Sequence, residues 1–504
     1  MSRHRYQGLA LALSASVLSA SVLSTAVMSA AQAADITLAL GTEPSTLDPQ
    51  TAQDGSERAV SRNIFETLIT RTAKGELVPQ LATELPRQTG ADTWEVTLRP
   101  KLTFSDGQPL DAAAVAASIN RIVDPKTASR QRPFFLGIKR AEAVDAVTVR
   151  VFTNGADPAL PARLSWLTIV SPGAAADGSL GQKPVGSGPY VLTEWAKGNR
   201  IVLSRNPNYW NPQAVGNVDR ATYRFVAEPG TRLSGLRAGD FDFITNVLPE
   251  DTKRVARAVT LQGTDLPFVS LNALKGLTRD VRVRQALNYA VDKEALAKDL
   301  YGGYAAVSRG QLLAPGWFGY DASIQPYPYD PARAAELLKA AGAYGKSIDL
   351  YAPSGRWLKD KELAETIAAY WEAAGLKVNF RVLAWAEYLE AINKNRVPTE
   401  AQISSSHSNQ LLDADRTLSA YYADGGVAAA NDNAELKGLI DAARQEADPV
   451  KRQALYTRAL KIGRDEAYLV FLLEGGEIFG LSKRIDFAPR VDGLIPLKDI
   501  RVTQ

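Results

Sequence analysis

Two acids, Asp413 and Asp415, stand two residues apart behind a polar run with one histidine, Ser404 to Gln410, SSSHSNQ. On a strand that spacing puts both carboxylates on one face, an arrangement general acid–base chemistry uses. His407, with Ser408 and Asn409 beside it, has the polar setting of a ligand-binding imidazole. One histidine holds a metal tightly only if a chelator brings the other ligands. Gly186-Ser187-Gly188-Pro189 looks like a phosphate cradle, but lacks the Lys-[Ser/Thr] and the following helix that a phosphate loop needs. There is no G-x-S-x-G elbow and no H-E-x-x-H. The chain has no cysteine, which excludes disulfides and a thiolate nucleophile. Met1, Met28 and His4 all precede residue 34, leaving His407 as the one histidine beyond it. Ligands for a built-in zinc, copper or iron–sulfur centre are therefore missing. No catalytic residue, resident metal or cofactor is expected. A secreted hydrolase working through two carboxylates is the rival enzymatic reading.

The elements that would position these groups begin with residues 93–115, TWEVTLRPKLTFSDGQPLDAAAV. Trp94, Val96 and Leu98 alternate with Thr93, Glu95 and Thr97, the pattern of a half-buried strand. Ser105-Asp106-Gly107 is a turn in which Asp bonds its own backbone and Gly accepts positive φ. Asp111 is placed to cap an Ala-rich helix through Asn120. With 504 residues, 45% hydrophobic and 22% charged, the chain is an ordinary globular composition too long for a single core. Setting aside Arg3 and Arg5 takes the 58 basic residues to 56, against 55 acidic ones. No basic stripe points to nucleic acid or anionic lipid.

Residues 1–33 read as a secretory signal: a basic start at Arg3-His4-Arg5, an apolar, Ser-rich stretch from Leu9 to Val27, and Ala31-Gln32-Ala33 fitting the A-x-A cleavage pattern. A membrane anchor is the competing reading, since the stretch is nearly long enough to span. Without cysteine there is no lipobox, so a periplasmic product starting near Ala34 is expected.

Further on, Asp35–Leu40 reads as a strand, Ala59–Thr70 as an amphipathic helix with Ile64, Leu68 and Ile69 on one side, and Val144–Thr153 as a strand. Trp166, in the apolar run Leu160–Val170, is expected in the core rather than stacked on a ligand. Asp280, Asp292 and Asp330-Pro331 begin helices, and Gly342 and Gly375 end them. Strands at 348–352 and 376–383 alternate with helices at 361–374, 434–447 and 449–462. That alternation predicts an α/β protein with mixed sheets.

The wording of several segments adds to this. W-x-x-x-L-R-x-x-x-x-F-x-D-G-x-x-x-x-A-x-x-V at 94–115, PVGSGPY at 184–190, RNPNYW at 205–210, the L-x-x-G-x-x-D segment around Gly239-Asp240-Phe241-Asp242, and DVRVRQAL at 280–287 resemble, in order, the phrases of family 5 extracellular solute-binding proteins, the receptors of peptide, nickel and opine ABC importers. The resemblance implies a two-lobed periplasmic binding protein fold with a hinge and an enlarged N-terminal lobe. The boundaries it suggests are a signal at 1–33, an N-terminal lobe at 34–267, a second lobe at 268–475 and a tail at 476–504 rejoining the first. It implies a small polar solute or peptide ligand, permease subunits in the inner membrane as partners, a monomer, and no nucleic acid.

The resemblance also names candidate ligand contacts. Glu43 and Ser45, just past the first strand, match the segment whose backbone pairs with an extended peptide in relatives; a plain strand-to-loop turn explains them equally well. Arg356, in YAPSGRW at 351–357, matches an arginine that receives the ligand's carboxylate, and guanidinium chemistry suits that role; pairing with a structural carboxylate is the other reading. Trp357 is its aromatic neighbour, placed to stack on ligand. Peptide binders of the family carry an aspartate four or five residues before the final D-x-D, where it pairs with the α-amine. Here Asp413-Ala414-Asp415 matches the D-x-D, which reads as structural capping, but Asn409 and Gln410 are neutral and Ser406 or His407 replaces a tryptophan. An amide offers a buried ammonium only a dipole. That favours a neutral or anionic ligand, such as a sugar-phosphate, an opine-like conjugate or an atypical peptide, unless Glu43 supplies the charge. A metal-chelate receptor using His407, and a periplasmic sensor or chaperone, remain as alternatives.

Overall fold

The structure is a computed structural model that describes residues 34–51, 54–354, 357–384, 387–388, 390–391, 399–404, 407–426 and 428–503, with 402–404 as backbone only. The leader and Arg356 lie outside the described residues.

Two lobes are each built around a mixed sheet. In the first, seven strands run in the order Arg257–Val259, Phe479–Leu481, Phe243–Ile244, Ala34–Leu40, Val218–Phe225, Arg200–Arg205 and Tyr190–Ala196. Ala34–Leu40 pairs in parallel with Val218–Phe225 and Phe243–Ile244. Its inward residues Ile36, Leu38 and Leu40 meet Ala221, Tyr223 and Leu481 in one core. An antiparallel four-stranded sheet, Arg87–Gly90, Thr93–Thr97, Thr148–Thr153 and Ile138–Ala143, enlarges this lobe. The expected alternation holds: Trp94, Val96 and Leu98 are buried. The helix Ala112–Val123 packs in the same core, with Asp111 accepting from Ala114 N at 2.9 Å. Gly107 takes its positive φ of 84° in the turn before it.

The second lobe holds the sheet Lys377–Ala384, Ser347–Ser354, Ala401–Ser404, Phe268–Leu271 and Leu469–Phe471. Asp280, Asp292 and Asp330 cap helices as predicted, because each side chain can reach an otherwise unpaired N–H of its first turn. The chain crosses between lobes beside Asp265 and returns at Gly475, which pair as an antiparallel bridge. Contact between the two crossings is tight: a Cβ on Gly476 would lie 2.2 Å from the Leu261 carbonyl oxygen.

One element differs from the sequence reading. The helix expected at Ala59–Thr70 is Gly55–Ser61. Its continuation is lost because the carbonyls of Asn63 and Ile64 accept from Tyr190 N and Gly188 N, at 3.1 and 2.8 Å, instead of from the next helical turn. Ile69–Arg71 then becomes a strand paired with Leu77–Pro79. Ile64, Leu68 and Ile69 are nonetheless buried, so the hydrophobic pattern was right and the helical period was not.

Candidate functional site

The loop 407–413 of the second lobe lies against the first lobe, and each of its side chains has a definite position. His407 is 1% exposed. Its Nε2 is 2.7 Å from Thr417 Oγ1 and its Nδ1 3.1 Å from Tyr421 Oη, so both ring nitrogens are taken up inside the core. Burial, with Arg416 nearby, lowers its pKa well below the usual imidazole value. Asn409 is engaged throughout: its Nδ2 donates to Asp413 O and Thr417 Oγ1, and its Oδ1 accepts from Leu411 N. Asp413 accepts a bidentate pair from Arg452 at 2.7 and 2.8 Å and bonds Asp415 N at the start of the helix Ala414–Tyr421. The geometry of Asp413 is that of a cap and an ion pair, not an acid–base dyad on a strand.

Asp415 turns the other way, across the lobe boundary. Arg163 Nη2 of the first lobe reaches its Oδ2 at 2.6 Å and Arg444 Nε its Oδ1 at 2.8 Å. Arg163 also pairs with Asp157 at 2.8 Å. Burial works against ionisation of Asp415, yet the two guanidiniums hold its carboxyl far below the usual range.

Gln410 is the residue of this loop that opens onto a cavity. Its Nε2 donates to Ser408 Oγ at 3.0 Å, while its Oε1, buried, has no hydrogen-bond partner among the described residues. The cavity measures about 80 Å³ and lies where the loop meets the first lobe, lined by Arg62, Glu66, Arg71, Ser165, Trp166 and Gln410 among others. Arg71 spans the boundary by donating to Leu411 O. Trp166 is buried, as expected for the core, yet its Nε1 is also unpartnered and the Arg62 guanidinium carbon sits 4.1 Å above its ring. Sequence reasoning did not single out Arg62, Glu66 or Arg71. Arg62 and Glu66 fall in the segment read as an amphipathic helix and Arg71 just beyond it; the helix ends at Ser61 instead, and the chain that follows it lines the lobe boundary.

Glu66 closes the cavity with a carboxylate that accepts from Tyr209 Oη, Trp210 Nε1, Gln80 Nε2 and Ser187 Oγ at 2.9–3.2 Å. No cation balances it among the described residues. Burial raises its pKa to about 7 against the pull of those donors. The folded state therefore holds this proton up to about pH 7, whereas the unfolded chain releases it near the ordinary Glu value of about 4.3. Stability from this group is present at low pH and falls as pH rises across that window. Urea denaturation at pH 5 and pH 8 should show that slope in the wild type and a flatter one in Glu66→Gln.

The remaining sequence candidates lie elsewhere. Glu43 accepts from Trp195 Nε1 at 2.8 Å and from Gly198 N at 3.0 Å, tying it to the hairpin after Tyr190–Ala196. Ser45 is exposed and donates to Glu57 Oε1 at 2.5 Å. Trp357 is half-buried, its backbone N–H on Asp360 Oδ2. Gln410 is thus brought together with first-lobe residues, while Glu43, Ser45 and Trp357 do not line that cavity. A larger hollow, about 440 Å³, lies on the first lobe's sheet among Thr37, Arg220, Thr222 and Arg224, away from the second lobe. No group of three or more His, Cys, Asp or Glu side chains is arranged to hold a metal among the described residues, and no described helix is long and apolar enough to cross a membrane.

Known proteins give this geometry a context. The family model for bacterial extracellular solute-binding proteins, family 5, matches residues 76–428. The glutathione-binding protein GsiB of Salmonella paratyphi A is 31% identical over 319 residues, which is 62% of each chain, so the match spans less than two thirds of that relative. Among solved structures, the periplasmic binding protein DppA of Helicobacter pylori, in complex with the peptide STSA, superposes with a TM-score of 0.80 at 24% identity, covering 94% of this chain and 98% of that one. NikA of Brucella suis, in complex with Fe(III)-EDTA, gives 0.83 at 22% identity, covering 93% and 100%. At those identities the likeness speaks for the two-lobed fold alone. Members of the matching family bind solutes rather than transform them. By the extent of the family match, the chain belongs to the bacterial extracellular solute-binding proteins of family 5.

Proposed function

We propose that this chain is the periplasmic receptor of an ABC importer, capturing a small peptide-like solute between its lobes and delivering it to permease subunits in the inner membrane. The observation that carries the reading is the cavity at the lobe boundary, lined by Gln410 from one lobe and Trp166 from the other, each with a buried polar atom that has no partner among the described residues. Unpaired buried polar atoms are costly, and a ligand that satisfies both from opposite sides favours the closed arrangement over the open one. The glutathione-binding relative supports a peptide-like solute. Residues 1–33 act as the export signal in this reading, and the receptor works as a monomer. In this reading Arg356 and Trp357 are the solute contacts that the family resemblance implies, and Glu43 and Ser45 are candidates to face the cleft.

The metal-chelate alternative loses its main support, because His407 has neither ring nitrogen turned to open space. The test is native mass spectrometry of the freshly purified protein, paired with uptake assays in a deletion strain. A retained peptide-like mass and lost uptake of that compound are expected. A released metal chelate, or turnover of the retained compound by the protein, would overturn the reading.

A further inference from the structure

Two guanidiniums at the lobe-boundary cavity have no carboxylate partner among the described residues. Arg62 Nη2 donates to the Trp166 carbonyl at 2.6 Å, and its guanidinium also lies over the Trp166 ring. Arg71 donates to the carbonyls of Gly75 and Leu411, and its Nε is buried without a partner. Both keep their charge at neutral pH, although burial lowers Arg62 to about 9 and Arg71 to about 10.

Two acids, Asp492 and Glu66, also line the cavity, and Asp492 attracts both guanidiniums, but the hydrogen bonds of each go to other groups. Asp492 takes Arg490 Nε and Nη2 and the N–H of Leu494. Glu66 is occupied by its four neutral donors. Lys498 and Asp499 pair with each other. The two desolvated cations hydrogen-bond carbonyls and feel Asp492 only from beyond ion-pair distance, so neither has the direct carboxylate pairing usual for a buried charge.

The second observation is independent of charge. Gln410 is 8% exposed and Trp166 is 4% exposed, both line this cavity, and each carries a buried polar atom without a hydrogen-bond partner among the described residues, an acceptor and a donor respectively. The volume of about 80 Å³ is room for a few waters, or for a carboxylate and the atoms next to it.

We propose that this cavity is the subsite for an anionic end of the solute: a carboxylate seated between Arg62 and Arg71 with Trp166 Nε1 as a further donor, and an adjacent amide N–H donating to Gln410 Oε1. The solute class that follows is an N-acylated amino acid or the C-terminal residue of a peptide. A free ammonium is disfavoured at this end, because it would meet the like charges of Arg62 and Arg71, while the lining acids Asp492 and Glu66 already accept from other donors. This inference rests on the receptor reading and adds which end of the solute the cavity takes.

The experiment uses the full mature protein with two simple probes at constant ionic strength: N-acetylglycine, which has the carboxylate and neighbouring N–H, and glycinamide, a cation without a carboxylate. Thermal unfolding and calorimetry should show N-acetylglycine binding the wild type and glycinamide failing to bind. Gln410→Glu, nearly isosteric, places a carboxylate at the anion's seat and should weaken N-acetylglycine by roughly 30-fold or more, the scale of one uncompensated buried charge. Arg62→Gln should weaken it similarly, with circular dichroism checking that the fold is kept. Failure of the wild type to bind N-acetylglycine, or equal binding by Gln410→Glu, overturns the subsite. The two readings separate cleanly. Lost uptake on deletion without N-acetylglycine binding removes the subsite alone, and N-acetylglycine binding with unchanged uptake removes the receptor reading.

Discussion

Asp415→Ala is expected to destabilise the protein by about 3–5 kcal/mol, the cost of removing one partner of a buried ion network and leaving the other charges uncompensated. Arg163 and Asp415 have side chains only 9% and 5% exposed. Without Asp415, Arg163 retains Asp157, but Arg444 loses its buried partner. The loss should show as a lower urea midpoint. Because Arg163 belongs to the first lobe and Asp415 to the second, small-angle scattering should also show a larger radius of gyration as the lobes part. Arg163→Ala alone should be similarly costly. The double variant should cost less than the two singles added, since each removes the group that the other strands. Strict additivity would mean that the pair does not couple the lobes.

Gly186→Ala is the second large effect, expected at about 3 kcal/mol or more, toward the upper range for overpacking. The added Cβ would stand 2.2 Å from the Ile64 carbonyl oxygen. That neighbour is backbone, held by its own hydrogen bond from Gly188 N, so it cannot swing aside as a side chain would. Relief requires displacing the 62–66 segment, which carries Arg62 and Glu66. The variant should therefore lose both stability and whatever the cavity binds. Gly198→Ala is a poor control because its φ of 70° is itself strained. Gly438→Ala, in a helix with nothing within 4 Å of the new Cβ, should be neutral or slightly stabilising. Equal unfolding midpoints for Gly186→Ala and the wild type would refute the collision argument.

What could be read from the sequence was what local rules decide. Asp111, Asp280 and Asp330 cap the helices expected of them, because a cap is a contact between residues two or three apart. The strand at Thr93–Thr97 follows from simple alternation. His407 was misleading for the opposite reason. Its neighbours in sequence are serines and asparagine, but its neighbours in space are Thr417, Tyr421 and Trp317, supplied by a helix and a distant loop. Glu66 was invisible, since its donors come from residues 80, 187, 209 and 210. The neutral character of Gln410 was legible from its departure from a family pattern. The guanidiniums facing it were not, because nothing along the chain links residues 62 and 71 to residue 410.

The seven-stranded sheet carries a consequence for how the molecule is made. Phe479–Leu481 pairs with Phe243–Ile244 on one side and Arg257–Val259 on the other. The lobe synthesised first therefore cannot complete its sheet until the whole second lobe has left the ribosome. Pairings so distant in sequence form late and slowly. A nascent chain of this topology stays threadable through most of its synthesis, and it locks only when its last large segment arrives. Expressed alone, residues 34–267 would display an unpaired strand edge at 243–244 and behave as an aggregation-prone fragment rather than a half-receptor.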